Sequence, residues 1–255
     1  NNWLNSIQNK CLPPRCIFCN ARGMDDLDLC QACFADLPRN HPCCYQCAAS
    51  LTTISHVPQA CGACLVRPPP FDETQAPFLY GEHLRHLITQ LKFQRHYHHA
   101  RLLAGLLARH VADHCERPDC LIPVPLHPVR YRERGFNQSL EIARHLAKAL
   151  SIALDFDSCI RHRNTPHQID LPATERAKNP RQAFSVIQPL RHRHIAIIDD
   201  VMTTGATASA VAQTLKEHGV ERVDVWDAQE RKTIIKHHGP IMTLSTHTKP
   251  DVIVG

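Results

Sequence analysis

Four Cys-x-x-Cys pairs crowd into the first quarter of this 255-residue chain: Cys16/Cys19, Cys30/Cys33, Cys44/Cys47 and Cys61/Cys64. Two residues between thiols form a tight turn that aims both sulfurs at one ion, and two such turns complete a tetrahedral zinc site at about 2.3 Å per Zn–S bond. Eight thiolates predict two closed four-cysteine sites, structural rather than catalytic because no coordination position stays open. Ten residues separate Cys19 from Cys30 and 13 separate Cys47 from Cys61, room for a short hairpin in each. Spacing leaves three ways of pairing the four turns. Of the 13 cysteines, ten lie from Cys11 to Cys64, so Cys11 and Cys43 stand as alternative ligands. Cys115, Cys120 and Cys159 read as ordinary core or surface thiols.

In a secreted chain this density would mean disulfides. The N-terminal residues lack the basic segment and apolar core of a leader, which turns the reading toward metal. No run approaches the roughly 18 apolar residues of a membrane span. The expectation is a soluble cytoplasmic protein, at most peripheral to the inner membrane. A region so poor in apolar periodicity needs its metal to fold.

The composition changes at "RPPPF" (Arg67 to Phe71), where three prolines remove backbone donors and favour an extended linker. Beyond it, Leu84, Leu87, Ile88 and Leu91 recur at helical spacing in "LRHLITQLKF", and "ARLLAGLLARHVADHC" continues as a second helix. "CLIPVPL" reads as a strand, "HPVRYRERGFNQS" as a basic loop and "LEIARHLAKAL" as a helix. "HIAIIDDV" is a second strand, "ATASAVAQTLKEHG" a helix stopped by Gly219, and "VERVDVWDA" a third strand. This alternation predicts an α/β domain with a parallel sheet.

"IAIIDDVMTTGAT" carries the chemistry. A buried strand delivers Asp199 and Asp200 to the carboxyl edge of the sheet, where open α/β folds bind ligands. Paired acids there can accept hydrogen bonds from vicinal ribose hydroxyls. Gly205 lets the backbone approach a phosphate, Thr203, Thr204 and Thr207 offer hydroxyls, and the helix opening at Ala206 turns unpaired N–H groups toward the same anion. A plain strand-to-helix turn would explain a threonine cap but not the two acids. Arg130, Arg132 and Arg134 suit pyrophosphate oxygens. "RHRNTPHQIDLPATERAKNPRQAF" adds Arg161, Arg163, Gln168, Arg176 and Asn179 in a long stretch of weak periodicity, as a lid over an anionic ligand would be. The formal charge of +5, with 19 histidines neutral, favours an anionic partner or a basic solvated surface.

"IIDDVMTTGAT" resembles the phosphoribosyl-pyrophosphate (PRPP) signature of type I phosphoribosyltransferases. With the four cysteine turns, "LITQLKF", "PVPLHPVRYRERGFNQS" and "RHRNTPHQ" with Arg176 and Asn179, the chain is identified as a member of the ComF/GntX family of competence-associated proteins. The resemblance implies a double zinc ribbon over 1–68, a type I phosphoribosyltransferase-like parallel-sheet domain over 69–232 and a tail over 233–255. It implies Asp199 and Asp200 on ribose, Thr203, Thr204, Gly205, Ala206 and Thr207 on the 5-phosphate, Arg134 near pyrophosphate and Lys92 as a further anion ligand, with Mg²⁺ accompanying PRPP. It further implies handling of incoming single-stranded DNA during natural transformation, beside competence helicase or channel proteins. Cys43 beside Cys44 and the tail after Arg231 depart from the family pattern. Two other readings follow from the same residues. One is an active transferase passing ribose 5-phosphate to an acceptor. The other is a PRPP-sensing scaffold whose ribbons bind protein.

Overall fold

A computed structural model describes residues 14–24, 27–79, 81–94, 97–162 and 183–228. Its cysteine-rich end uses one device twice. After Cys19 and Cys47 the chain steps into the left-handed region, at Asn20 (φ 61°) and Ala48 (φ 58°). The Asn20 N–H then donates to the Cys16 carbonyl and the Ala48 N–H to the Cys44 carbonyl, each at 2.8 Å. The second half of each unit ends in a short helix: α1 (Gln31–Ala35) after Cys30 and α2 (Gly62–Val66) after Cys61. Both N-capping cysteines are extended, which places Cys33 and Cys64 in the first turn above them.

The remaining elements, in chain order, are β1 (Glu73–Gln75), α3 (Glu82–Gln94), α4 (Tyr97–His114), β2 (Cys120–Pro123), α5 (Pro128–Arg134) and α6 (Gln138–Leu150). They continue through β3 (Ala153–Leu154), β4 (Cys159–Arg161), β5 (Phe184–Val186), β6 (His194–Asp199), α7 (Ala206–Glu217) and β7 (Arg222–Asp227). Five strands form one wholly parallel sheet in the order β1-β7-β6-β2-β3, and β4 and β5 pair separately as an antiparallel hairpin. The three strands and four helices expected from periodicity in this part are present. The edge strands β1 and β3, of three and two residues, are too short to leave a pattern.

One expectation is corrected. "HPVRYRERGFNQS" does not run as a loop: Pro128 to Arg134 form a helix, opened by proline in its first turn and closed by Gly135 at φ 80°. His127 caps it, accepting the Val129 N–H on Nδ1 at 3.2 Å. Three arginines within seven residues concealed a short helix whose signals are its two ends.

Strand β6 divides the core by its period of two. Ala196 and Ile198 join the cluster built by α3, α4 and α6 on one face, while Ile195 and Ile197 join that of α7 on the other. Each large aliphatic side chain buried this way contributes about 1.5–3 kcal/mol. The first ribbon belongs to the first cluster: Leu27, Leu29 and Leu37 pack with Leu103, Leu107 and Leu146. The approach is close enough that a Cβ on Gly105 of α4 would lie 2.4 Å from Leu27 Cδ2. The second ribbon has its own small cluster of Cys44, Ala49, Cys61 and Cys64. It leans on the edge strand, where Thr74 donates its N–H to the Tyr45 carbonyl at 2.9 Å and its hydroxyl to the Gln46 carbonyl at 2.5 Å.

Candidate functional site

In each ribbon the four sulfurs lie within 4.8 Å of one another, Cys16, Cys19, Cys30 and Cys33 in the first and Cys44, Cys47, Cys61 and Cys64 in the second. The open question of pairing closes: first turn with second, third with fourth. Across the pairs, the Cys19 and Cys30 sulfurs lie 3.5 Å apart and the Cys47 and Cys61 sulfurs 3.7 Å apart. Four soft donors at this separation fit one tetrahedral zinc each. The thiols also carry the strain of crowding. A hydrogen bond from Cys47 holds Cys44 down to about 5, and the same bond together with burial pushes Cys47 up. Cys43 stands outside the second cluster and Cys11 lies outside the described residues. Burial pushes the Cys115, Cys120 and Cys159 thiols up to about 12, 11 and 12, and all three remain protonated.

At the carboxyl edge, sheet order reverses between β2 and β6. From β2 the chain next adds β3 on one side, and from β6 it next adds β7 on the other. Such a switch point opens a crevice beyond the strand ends. Asp199 closes β6 there. Its Oδ1 accepts the Asp200 N–H at 2.9 Å and the Ser139 hydroxyl at 3.3 Å. Burial pushes the Asp199 carboxyl up to about 7, and the neighbouring Asp200 charge adds to the rise. Asp200 turns to a cation: its Oδ2 lies 2.5 Å from Lys92 Nζ. Burial alone would lower the Lys92 ammonium, but Asp200 and then Asp199 outweigh it and hold it above its usual range.

The turn after Asp200 leads to Gly205 at φ 70°, a conformation that L side chains rarely adopt, and α7 begins at the next residue. Thr203 and Thr204 are exposed beside the helix N-terminus, Thr207 is half-buried in its first turn, and Phe71 from the end of the proline linker packs beneath Gly205. Thr204 Oγ1 accepts the Ala206 N–H at 3.4 Å. The N–H groups of a first helical turn have no partner within the helix, which suits this end to an anion.

Basic groups converge from three elements. Arg134, at the end of α5, donates to Gln138 Oε1 at 3.3 Å and lies within electrostatic reach of Lys92. Arg161 comes from the β4–β5 hairpin, its guanidinium 5.4 Å from the Phe184 ring centre. Burial lowers its affinity for the proton, Arg130 adds to that, and Asp199 opposes it, so Arg161 lies within electrostatic reach of both. Of the lid residues expected from sequence, Arg161 is thus brought to the site, whereas Arg163, Gln168, Arg176 and Asn179 lie outside the described residues. The sequence reading assigned no role to Gln138 and Ser139. Both are buried at the start of α6, Ser139 on Asp199 and Gln138 with an amide nitrogen that has no hydrogen-bond partner among the described residues. The sequence signal for them is polar side chains opening a helix straight after its asparagine cap, Asn137.

A separate open cavity of about 620 Å³ lies against the first ribbon, lined by Arg15, Phe18, Asp28 and His98 with Cys16 and Cys19. It holds none of the paired acids, and the chemistry that fits a sugar phosphate lies at the switch point. Among the described residues, no helix is long and apolar enough to cross a membrane.

A family model described as a double zinc ribbon domain matches residues 7–65. The DNA utilization protein YhgH of Escherichia coli O6:H1 is 36% identical over 217 residues, covering 83% of this chain and 88% of the relative. Competence protein F of Haemophilus influenzae is 33% identical over 221 residues, covering 83% of this chain and 95% of the relative. Among solved structures, a purine phosphoribosyltransferase from Pyrococcus horikoshii aligns at a TM-score of 0.33 and 18% identity, over 51% of this chain and 82% of that one.

Proposed function

The chain belongs to the ComF/GntX family, with relatives named for competence and for DNA utilization, and on that premise we propose that it binds PRPP with Mg²⁺ and handles incoming single-stranded DNA in the cytoplasm. The observation that carries the reading is the pair Asp199 and Asp200 at the β2/β6 switch point, followed at once by Gly205 in the left-handed region and the start of α7. The acids face the ribose hydroxyls and offer hard oxygen donors of the kind Mg²⁺ takes. Thr203, Thr204, Gly205, Ala206 and Thr207 receive the 5-phosphate, where a helix start favours an anion. Arg134, Arg161 and Lys92 supply cations for the pyrophosphate. The ribbons hold zinc as struts, and basic surface supplies the attraction for DNA phosphates.

Calorimetric titration of the zinc-loaded protein with PRPP and Mg²⁺, beside an Asp199→Ala/Asp200→Ala variant, tests the first half. Saturable binding lost in the variant is expected; no binding by folded wild type refutes it. Single-strand affinity that stays constant across a salt series refutes the second half, because phosphate contacts release counterions. Transfer to an acceptor is a second reading, supported by the cations that would receive a departing pyrophosphate. Loss of PRPP that depends on an added nucleobase or other nucleophile is the result that would establish it.

A further inference from the structure

The acidic pair is already occupied by the protein itself. Helix α3 buries Leu84, Leu87, Ile88 and Leu91, which fixes its axis and roll, and its last turn carries Lys92 to Asp200 at the sheet edge. The Asp200 Oδ2 that receives the ammonium at 2.5 Å is out of contact with solvent and has no hydrogen-bond partner besides this ion pair among the described residues. The two side chains retain only 25% and 14% of their exposure. A carboxylate oxygen placed this way needs its cation, since an uncompensated buried charge is strongly destabilising. Lys92 also lies within electrostatic reach of Arg134, a like charge whose effect is smaller than the attraction of Asp200 and Asp199. Two cations held near one another are relieved when an anion lies between them.

We propose that Lys92 is a gate on the acidic pair: it holds Asp200 against lone divalent cations and releases it only to a ligand that brings hydroxyls or a metal for the acids and an anionic group for the freed ammonium. A sugar diphosphate carries both halves in one molecule. A bare metal ion carries only the first and must approach against the charge of Lys92, while a bare pyrophosphate leaves Asp200 without a partner. The pair thereby sets an order of events, with metal entering together with the phosphorylated ligand. The identity of that ligand rests on the PRPP reading above; the exclusion of lone cations rests on the ion pair alone.

Mn²⁺, a paramagnetic stand-in for Mg²⁺ that prefers oxygen donors to thiolates, separates the two. Free Mn²⁺ is followed by its resonance signal against zinc-loaded wild type, Lys92→Met and Lys92→Met/Asp200→Asn, each with and without PRPP. Wild type is expected to take up Mn²⁺ only with PRPP present. Lys92→Met is expected to bind Mn²⁺ alone about tenfold or more tightly than wild type, and the added Asp200→Asn to abolish that gain. Equal affinity for lone Mn²⁺ in wild type and Lys92→Met overturns the gate. So does a Mn²⁺ site in wild type without PRPP that Asp200→Asn removes, a result that needs no folded Lys92 variant. If the contrast between wild type and Lys92→Met holds but PRPP changes neither, the gate stands and the PRPP reading fails. If PRPP binds while the contrast is missing, the gate fails alone.

Discussion

The cysteine-rich end and the carboxyl edge of the sheet both crowd acidic groups that repel one another, and each relieves the crowding differently. Each ribbon gathers four sulfurs within 4.8 Å and leaves their charge for a metal ion to neutralise. The sheet edge sets Asp199 against Asp200 and eases their charge from within, by partial protonation of Asp199 near neutrality and by Lys92 on Asp200. The ribbons therefore depend on their ion to hold their shape, whereas the sheet edge is stable before any ligand arrives. The cost appears in function, because a site that neutralises itself must exchange partners in order to bind.

The largest effect expected from breaking this contrast is loss of a ribbon's metal, and the two ribbons should differ. Cys30→Ser removes a ligand from the ribbon whose Leu27, Leu29 and Leu37 share the main core. It should lose one zinc and lower the thermal midpoint of the whole molecule. Cys61→Ser opens the ribbon that has its own small cluster. It should admit protease between Cys43 and Arg67 while the sheet keeps most of its stability. Equal losses of midpoint in the two variants would show that the shared core does not couple the first ribbon to the sheet.

Loosening the first ribbon from α4 should have the next largest effect. Leu27→Ala should cost about 2–5 kcal/mol by emptying its place against that helix. Gly105→Ala should cost about 1–3 kcal/mol, because the new methyl meets Leu27 Cδ2 at 2.4 Å. In the double variant the two changes relieve one another, since the truncated side chain vacates the space that the methyl needs. Denaturant unfolding of the four proteins should give a coupling of about 0.5–3 kcal/mol; strict additivity would mean the contact is not made.

Much of this architecture can be read in the sequence, and the division has a physical basis. The ribbons are visible because their ligands are set by local turns: Cys16 and Cys19 meet whatever the rest of the chain does. Which turns share an ion is decided by how each ribbon folds back on itself, and spacing alone leaves three pairings open. Strand β6 and the turn to Gly205 are visible for the same local reason, a buried run followed by a residue that tolerates φ 70°. Helix α5 was hidden because its arginines mask the proline and glycine that bound it. The pairing of Lys92 with Asp200 depends on the roll of α3 against the whole core, and Ser139 on Asp199 depends on α6 lying beside β6. Residue type can nominate such side chains, but tertiary packing decides which of them meet.

A smaller effect comes from the proton that Asp199 keeps. The folded carboxyl sits at about 7 against an ordinary value of 3.8, so the folded chain retains a proton that the unfolded chain loses. This contribution to stability is full below about pH 4 and is lost as pH rises through about 7, with a limiting slope of about 1.4 kcal/mol per pH unit. Lys92 is charged in both states across that window and adds no slope of its own. Asp199→Asn should flatten the profile between those limits, as read by denaturant midpoints at successive pH values. An unchanged slope would assign the proton uptake to another group.

The finest test of internal neutralisation is Ser139→Ala. The Ser139 hydroxyl donates to Asp199 Oδ1 at 3.3 Å, a bond that favours the carboxylate over the acid. Removing it should move the Asp199 titration upward by less than about one unit, since the bond is long and its partner half-protonated near neutrality. Carbon-detected NMR titration of the aspartate carboxyls reads the shift directly. A downward shift would be more informative than no shift. It would mean that protonated Asp199 is the donor and Ser139 the acceptor, so that the pair favours the acid form. Ligand binding through both acids would then have to break that bond before Asp199 ionises, and the sheet edge would hold two internal partners to displace, Lys92 from Asp200 and Ser139 from Asp199.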